Sequence, residues 1–146
     1  MKNFDAFASR PRRIDLEIQR TLHKSEILTA RLEASSQVFD RVVVQSSKQN
    51  KVEEYLILLA DYQNEIKQLM VEYDKAIDEV STWLYANLKT NHAEVLERKY
   101  CYGDDVYQIM EVFDIEYEAA RQRIRRATAR ARELYAKGVK KHEQGK

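Results

Sequence analysis

The chain has 146 residues, a net charge of +1, three glycines, one proline and a single cysteine. So few turn residues argue against an all-β fold, whose hairpins need them, and the length leaves room for one or two small units but not for an enzyme-sized cleft. Charged residues at 34% suit long solvated helices, and lone Cys101 suits a reducing compartment without a disulfide.

The first residues, MKNFDAFASRPRR, lack the apolar segment of a signal peptide, and no apolar run approaches the ~20 residues that span a bilayer. The expected location is therefore the cytoplasm, with residues 1–11 a flexible tail. Ile14, Ile18, Leu22, Leu28 and Leu32 then form an apolar stripe over a helix from Arg12 to Ala34, with Ser9 and Pro11 suited to its first turn. Residues 35–50 hold Val42, Val43 and Val44 among serines, glutamine and asparagine. They read as an irregular loop or a short strand from Val42 to Gln45.

From Lys51 to Leu84 two rows repeat every seven residues. One is Val52, Leu59, Ile66, Tyr73 and Val80, and the other is Tyr55, Tyr62, Leu69, Ala76 and Trp83. Every slot of nearly five heptads is apolar or aromatic, which predicts a coiled-coil helix ~50 Å long that needs a partner stripe. The Arg12–Ala34 helix supplies part of one, so residues 12–88 are expected to fold as an antiparallel helical hairpin. The shorter helix leaves seam uncovered, so Tyr55, Leu59, Tyr62, Ile66, Leu69 and Tyr73 are candidate partner-interface residues, and a homodimer is expected. At heptad spacing these aromatics read as packing, not as a base-stacking platform.

Residues 89–137 read as three short helices. Asn91 with Glu94 is a candidate cap for the first, which Gly103 would end. Asp105 with Gln108 is a candidate capping box for the second, and Phe113-Asp114-Ile115 makes a turn in which Asp114 tolerates the left-handed conformation. In the third, Ala120, Ile124, Ala127, Ala131 and Leu134 form an inward seam. The opposite face holds Glu118, Gln122, Arg125 and Ala129. Six arginines and no acid fall between Arg121 and Arg132. Residues 138–146 are expected to be a flexible tail. Charge is divided along the chain: residues 116–146 hold ten Lys or Arg against four acids, while residues 1–115 hold fifteen against twenty. A basic end on a more acidic module fits a nucleic-acid partner.

From VLERKYCYG through IEYEAARQRIRRA this stretch resembles region 4 of bacterial sigma factors, the helix-turn-helix that reads promoter DNA. The chain as a whole is similar to small phage-encoded late regulators of the ArpU or RinA type. The resemblance implies an all-α fold, a coiled-coil hairpin followed by a three-helix DNA-binding domain, acting as a sequence-specific transcription regulator. It places Glu118 and Gln122 on bases and Arg121 on a phosphate, with Tyr117 where a base-reading arginine often stands. Arg125 would reach guanine, and Arg126, Arg130 and Arg132 would hold phosphates. Double-stranded DNA and RNA polymerase are the implied partners.

Two other readings stand beside this one. Glu116 and Glu118 at the start of the third helix suit a polymerase-binding or anti-sigma-like factor that never touches DNA. A phage small terminase subunit also joins a helix-turn-helix to a coiled coil, but it usually carries the reader at its N-terminus. No enzyme is expected, because neither a nucleophile set nor a Gly-rich phosphate loop occurs. No metal or other cofactor is expected either, since His23, His92 and His142 lie far apart without ligands at binding spacing. Cys101 reads as a packed small residue. Asp74, Asp78 and Glu79 form a solvated helical acid patch.

Overall fold

The computed structural model describes residues 3–39 and 46–144, with side chains described over 3–34 and 50–138. All regular structure among the described residues is helical: α1 (Phe4–Ala8), α2 (Arg10–Phe39), α3 (Ser46–Asn87), α4 (Thr90–Tyr100), α5 (Val106–Phe113) and α6 (Tyr117–Gln144). None of these helices is long and apolar enough to cross a membrane. The extent of helix follows from composition. No glycine or proline occurs between Pro11 and Gly103, so nothing along that span removes a helical hydrogen bond or weakens propagation.

Several boundaries differ from the sequence expectation. The expected loop at 35–50 is largely helix, because α2 continues to Phe39 and α3 begins at Ser46. The expected Val42–Gln45 strand lies outside the described residues. α4 starts at Thr90, with Lys89 and not Asn91 at the cap position, and Lys89 makes no side-chain capping bond. α6 runs on to Gln144, past the expected end near Lys137.

The largest departure from expectation is the N-terminal segment, which is a docked helix and not a flexible tail. Asn3 accepts a hydrogen bond from the Ala6 amide at 2.8 Å and caps α1, whose Phe4 is only 1% exposed. Two large rings at Phe4 and Phe7 fall on one face of a single helical turn. Burying them offsets the cost of ordering so short a segment.

The chain divides into two compact units, one of Met1–Arg13 with Tyr73–Lys146 and one of Ile14–Glu72. The division therefore cuts α3 at Tyr73, not the connection at Lys89 where the domain boundary was expected. In the first unit Phe4, Val80, Leu84, Val95, Leu96 and Ile109 are fully enclosed, and α6 contributes Ala120, Ala127 and Ala131 at 0% exposure. The distance between packed helices is set by the side chains at the contact, so this alanine seam lets α4 and α5 pack closely on α6. Phe4 lies 5.5 Å from Trp83, 5.7 Å from Tyr100 and 6.3 Å from Tyr135 between ring centroids. Phe7 stacks on Tyr135 at 5.3 Å. Arg10 and Glu79 close the same unit with a 2.6 Å ion pair.

In the second unit the less exposed positions of α3 are Val52, Tyr55, Leu59, Tyr62, Ile66 and Leu69, the two heptad rows read from the sequence. On α2 the seam runs through Ile14, Ile18, Thr21, Ser25, Leu28 and Leu32, at alternating spacings of four and three, with Asp15 half-buried beside it. Leu22, expected in that stripe, is 42% exposed, and Thr21 takes the inward position at 5%. Thr21 is tolerated there because its hydroxyl donates to the Glu17 carbonyl at 3.0 Å, leaving its methyl to the seam.

Candidate nucleic-acid interface

Two local devices aim the start of α6. The Asp105 side chain accepts from the Gln108 amide at 2.9 Å, and the Gln108 side chain accepts from the Asp105 amide at 2.8 Å, the reciprocal pair expected from the sequence. At the other end of α5, Asp114 adopts φ 50° and ψ 54°, and its amide bonds back to Met110. One left-handed residue reverses the chain within three positions, and α6 opens at Tyr117. Upstream, Gly103 at φ +72° turns the chain out of α4 while the Asp104 amide bonds to the Arg98 carbonyl at 2.9 Å.

With its alanine seam turned inward, α6 presents Glu118, Gln122, Arg125 and Ala129 to solvent, and Arg121, Arg126 and Arg130 are exposed beside them. Tyr117, 39% exposed, stands at the head of this ridge. Seven of the eight residues expected to bind DNA therefore lie together on the outer surface of one helix.

A groove lies along each flank. One, of about 440 Å³, is lined by Asn91 and His92 of α4 with Arg123 and Arg126 of α6. The other, of about 390 Å³, is lined by Lys99 and Val106 with Arg121, Arg125 and Thr128. Glu118 and Gln122 border both, so they sit on the crest.

Charge on the ridge is only partly answered within the chain. Arg121 reaches Glu118 at 3.6 Å and Arg130 reaches Glu133 at 3.2 Å, both exposed pairs that solvent screens. The Lys137 and Arg130 contacts hold the Glu133 carboxyl below the usual carboxylate range. Arg125 and Arg126 make no ion pair among the described residues, and Arg123 lies over the Phe113 ring at 5.4 Å. Arg132, also expected on a phosphate, lines the second groove and pairs with Asp5 of α1 at 3.1 Å, with its side chain 58% exposed.

Not every contributor was visible in the sequence. Tyr107 of α5 is 67% exposed and packs against Tyr117 at 5.7 Å, while the Arg121 guanidinium sits over Tyr117 at 5.7 Å. Asn91 and His92 line a groove, although the sequence marks them only as a cap and a remote histidine. The His92 Nδ1 atom is buried and has no hydrogen-bond partner among the described residues. The position of Tyr107 two residues into α5, on the side opposite Ile109, could have signalled its exposure.

Away from the ridge, Glu97 accepts from Ser81 at 2.6 Å and from Tyr85 at 3.0 Å, bracing α4 against α3. Burial raises the Tyr85 hydroxyl to about 12, and the bond to Glu97 adds to that rise. Burial likewise pushes the Cys101 thiol to about 11, with the Glu97 carboxylate adding to it, so the thiol stays protonated and unreactive at neutral pH. Among the described residues no group of three His, Cys, Asp or Glu side chains could hold a metal ion. The candidate partner residues of α3 lie on the half-covered side of that helix, Leu69 being buried and Tyr55, Leu59, Tyr62, Ile66 and Tyr73 half-buried. Comparison with protein families, characterised proteins and solved structures finds no match for this chain.

Proposed function

We propose that the chain is a sequence-specific DNA-binding transcription regulator. In this reading α4, α5 and α6 form a helix-turn-helix domain like sigma-factor region 4, and α6 enters the major groove. The observation that carries it is the exposed crest of Glu118, Gln122 and Arg125 on a helix whose other side is anchored by buried alanines. A crest about one side chain wide with a groove on each flank suits a helix lying between two phosphate ridges. Gln122 would pair with adenine, Glu118 would accept from cytosine N4 and Arg125 would reach guanine. Arg121, Arg126 and Arg130 would hold phosphates, and Tyr117 would border the contact.

The hairpin of α2 and α3 would serve as a coiled coil that pairs the protein as a homodimer or docks it on RNA polymerase. A phage-encoded late regulator at work in the bacterial cytoplasm is the biological setting this implies.

Quantitative binding to duplex DNA from the protein's own locus tests the reading. Affinity should fall steeply with salt as counterions are released. Gln122→Ala should cost about 1–3 kcal/mol on the specific site and little on random DNA, whereas Arg126→Ala should weaken both alike. Equal losses for the two variants on both DNAs would remove base readout by Gln122.

One observation favours a second reading, an interaction factor that does not bind DNA. Residues 104–118 hold six acids and neither Lys nor Arg, so the approach to α6 repels phosphate. Absence of DNA affinity even at low salt would decide for that reading. The terminase alternative would need a large ring in solution.

A further inference from the structure

The chain carries an abrupt charge step. Asp104, Asp105, Glu111, Asp114, Glu116 and Glu118 fall in fifteen residues without a Lys or Arg, and the next fourteen residues carry six arginines without an acid. Despite this closeness in sequence, Glu111, Asp114 and Glu116 pair with none of those arginines, and Arg125 and Arg126 form no ion pair among the described residues. The geometry explains why. α5 buries Ile109 and turns Tyr107, Glu111 and Val112 outward, while α6 buries Ala120, Ala127 and Ala131 and turns Arg125 and Arg126 outward. Two helices that bury their facing sides present their charges away from each other.

The acidic face is also apolar. Tyr107 is 67% exposed and Val112 is 46% exposed, and both flank Glu111. An exposed ring beside carboxylates accepts a guanidinium in two ways, by charge and by stacking on the ring face. Arg121 already sits over Tyr117 in this manner within the chain, at 5.7 Å.

We propose that the outer face of α5 docks the arginine ridge of α6 on a second copy of this chain. Arg125 and Arg126 of one copy meet Glu111, Asp114 and Glu116 of the other, with a guanidinium against Tyr107 and aliphatic stem against Val112. The occupant is argued from charge complementarity: the feature this face lacks is the feature the same chain displays at Arg125 and Arg126, which pair with no acid among the described residues. The contact is head-to-tail, since each copy uses a different face, so it propagates or closes into a ring. It also covers the surface that the proposed function assigns to DNA, although the contact itself does not rest on that function.

Sedimentation of the full chain without DNA tests it. At low salt, about 0.02 M, the protein should self-associate, and at about 0.5 M, where the Debye length is under 5 Å, that association should be lost. Two double variants separate the faces: Glu111→Gln with Glu116→Gln, and Arg125→Gln with Arg126→Gln. All four positions are exposed, so the fold is kept, as Trp83 emission and helical circular dichroism will report.

Each variant alone should lose the salt-sensitive association by ~10-fold or more in Kd. Mixed together they should form a pair that stops at one to one, because each retains only one intact face. Three outcomes would each overturn the proposal: wild-type association in either variant alone, no complex in the mixture, or a sedimentation mass that is the same at about 0.02 M and about 0.5 M salt. Since no DNA is present, these outcomes are separate from the fate of the DNA-binding reading.

Discussion

The two compact units spend apolar residues differently. In the unit of Met1–Arg13 with Tyr73–Lys146, six helical segments converge and Leu84, Val95, Leu96, Ile109 and three alanines of α6 reach 0% exposure. In Ile14–Glu72 only Thr21, Leu28 and Leu69 are buried among the described side chains, and the rest of both heptad rows stays half-wet. Two helices can enclose only the line between them, whereas several helices enclose a volume. What each leaves outside differs as well. The second unit exposes Leu56, Ile57, Met70 and Val71, which have no polar atom to offer water, while the first exposes mainly tyrosines. The two-helix unit leaves most of its seam half-exposed, whereas the first unit encloses its core with its own chain.

The sharpest break of this comparison is at α1. Phe4→Ala removes a ring enclosed by Trp83, Tyr100 and Tyr135, and should cost about 3–5 kcal/mol in the first unit. Trp83 is the only tryptophan and lies in that cluster, so its emission follows this unit in a denaturant titration. A change under about 1 kcal/mol would mean that the aromatic cluster closes without α1.

The next test sets the units side by side. Leu96→Ala, at a fully buried site, should cost about 2–5 kcal/mol, and Ile66→Ala, at a half-buried seam position, about 1 kcal/mol. Helical signal at 222 nm reports both units, and Trp83 emission reports the first. If Ile66→Ala proves as costly as Leu96→Ala, the seam is already covered in solution, most simply by a second copy.

Much of this contrast was legible in the residues. The heptad rows of α3 and the alanine seam of α6 each follow a helical period, and the Asp105 capping box needs only two side chains three residues apart, so local physics alone determines them. The exposed ridge from Glu118 to Arg130 followed, because a helix that buries one side must show the other.

Three features were not legible, for separable reasons. α1 is too short to carry a period, and Phe4 and Phe7 acquire meaning only when rings from α3, α4 and α6 surround them. The α2 seam passes through Thr21 and Ser25, so a search for apolar residues slips to Leu22. Pairings such as Arg132 with Asp5 join residues 127 positions apart, which no local pattern encodes.

A smaller effect, on the order of 2 kcal/mol, concerns pH. The Cys101 thiol is pushed from its ordinary 9.0 to about 11 in the folded chain, chiefly by burial. Folding therefore favours the protonated thiol. That contribution is intact below pH 9, falls as the unfolded thiol ionises, and is lost once the pH passes 11. Each tenfold change in proton affinity between the folded and unfolded chain is worth ~1.4 kcal/mol. Tyr85, raised to about 12, contributes in the same direction at higher pH, so the wild type must be compared with Cys101→Ala. The difference in stability between the two should shrink from pH 8 to 11 by this amount. Rapid thiol labelling of the native protein at pH 8 would contradict the burial that raises this thiol.

The smallest expected effect belongs to the Asp5–Arg132 pair. Its geometry is good, with the Arg132 Nε donating to both Asp5 oxygens at 3.2 Å and a further contact at 3.1 Å, but both side chains are more than half exposed. Solvent screens such a pair to about 0.2–1 kcal/mol, far below the cost of removing Phe4 from the same five-residue helix. Asp5→Asn should therefore leave α1 docked, lower the denaturation midpoint slightly, and lose even that difference at high salt. It should also release the Arg132 guanidinium. If α6 binds DNA, the variant should gain affinity at low salt by up to one extra phosphate contact, seen as a steeper salt dependence by about one ion. A loss of stability as large as that of Phe4→Ala would reverse the assignment, making the ion pair and not the aromatic cluster the contact that holds α1 in place.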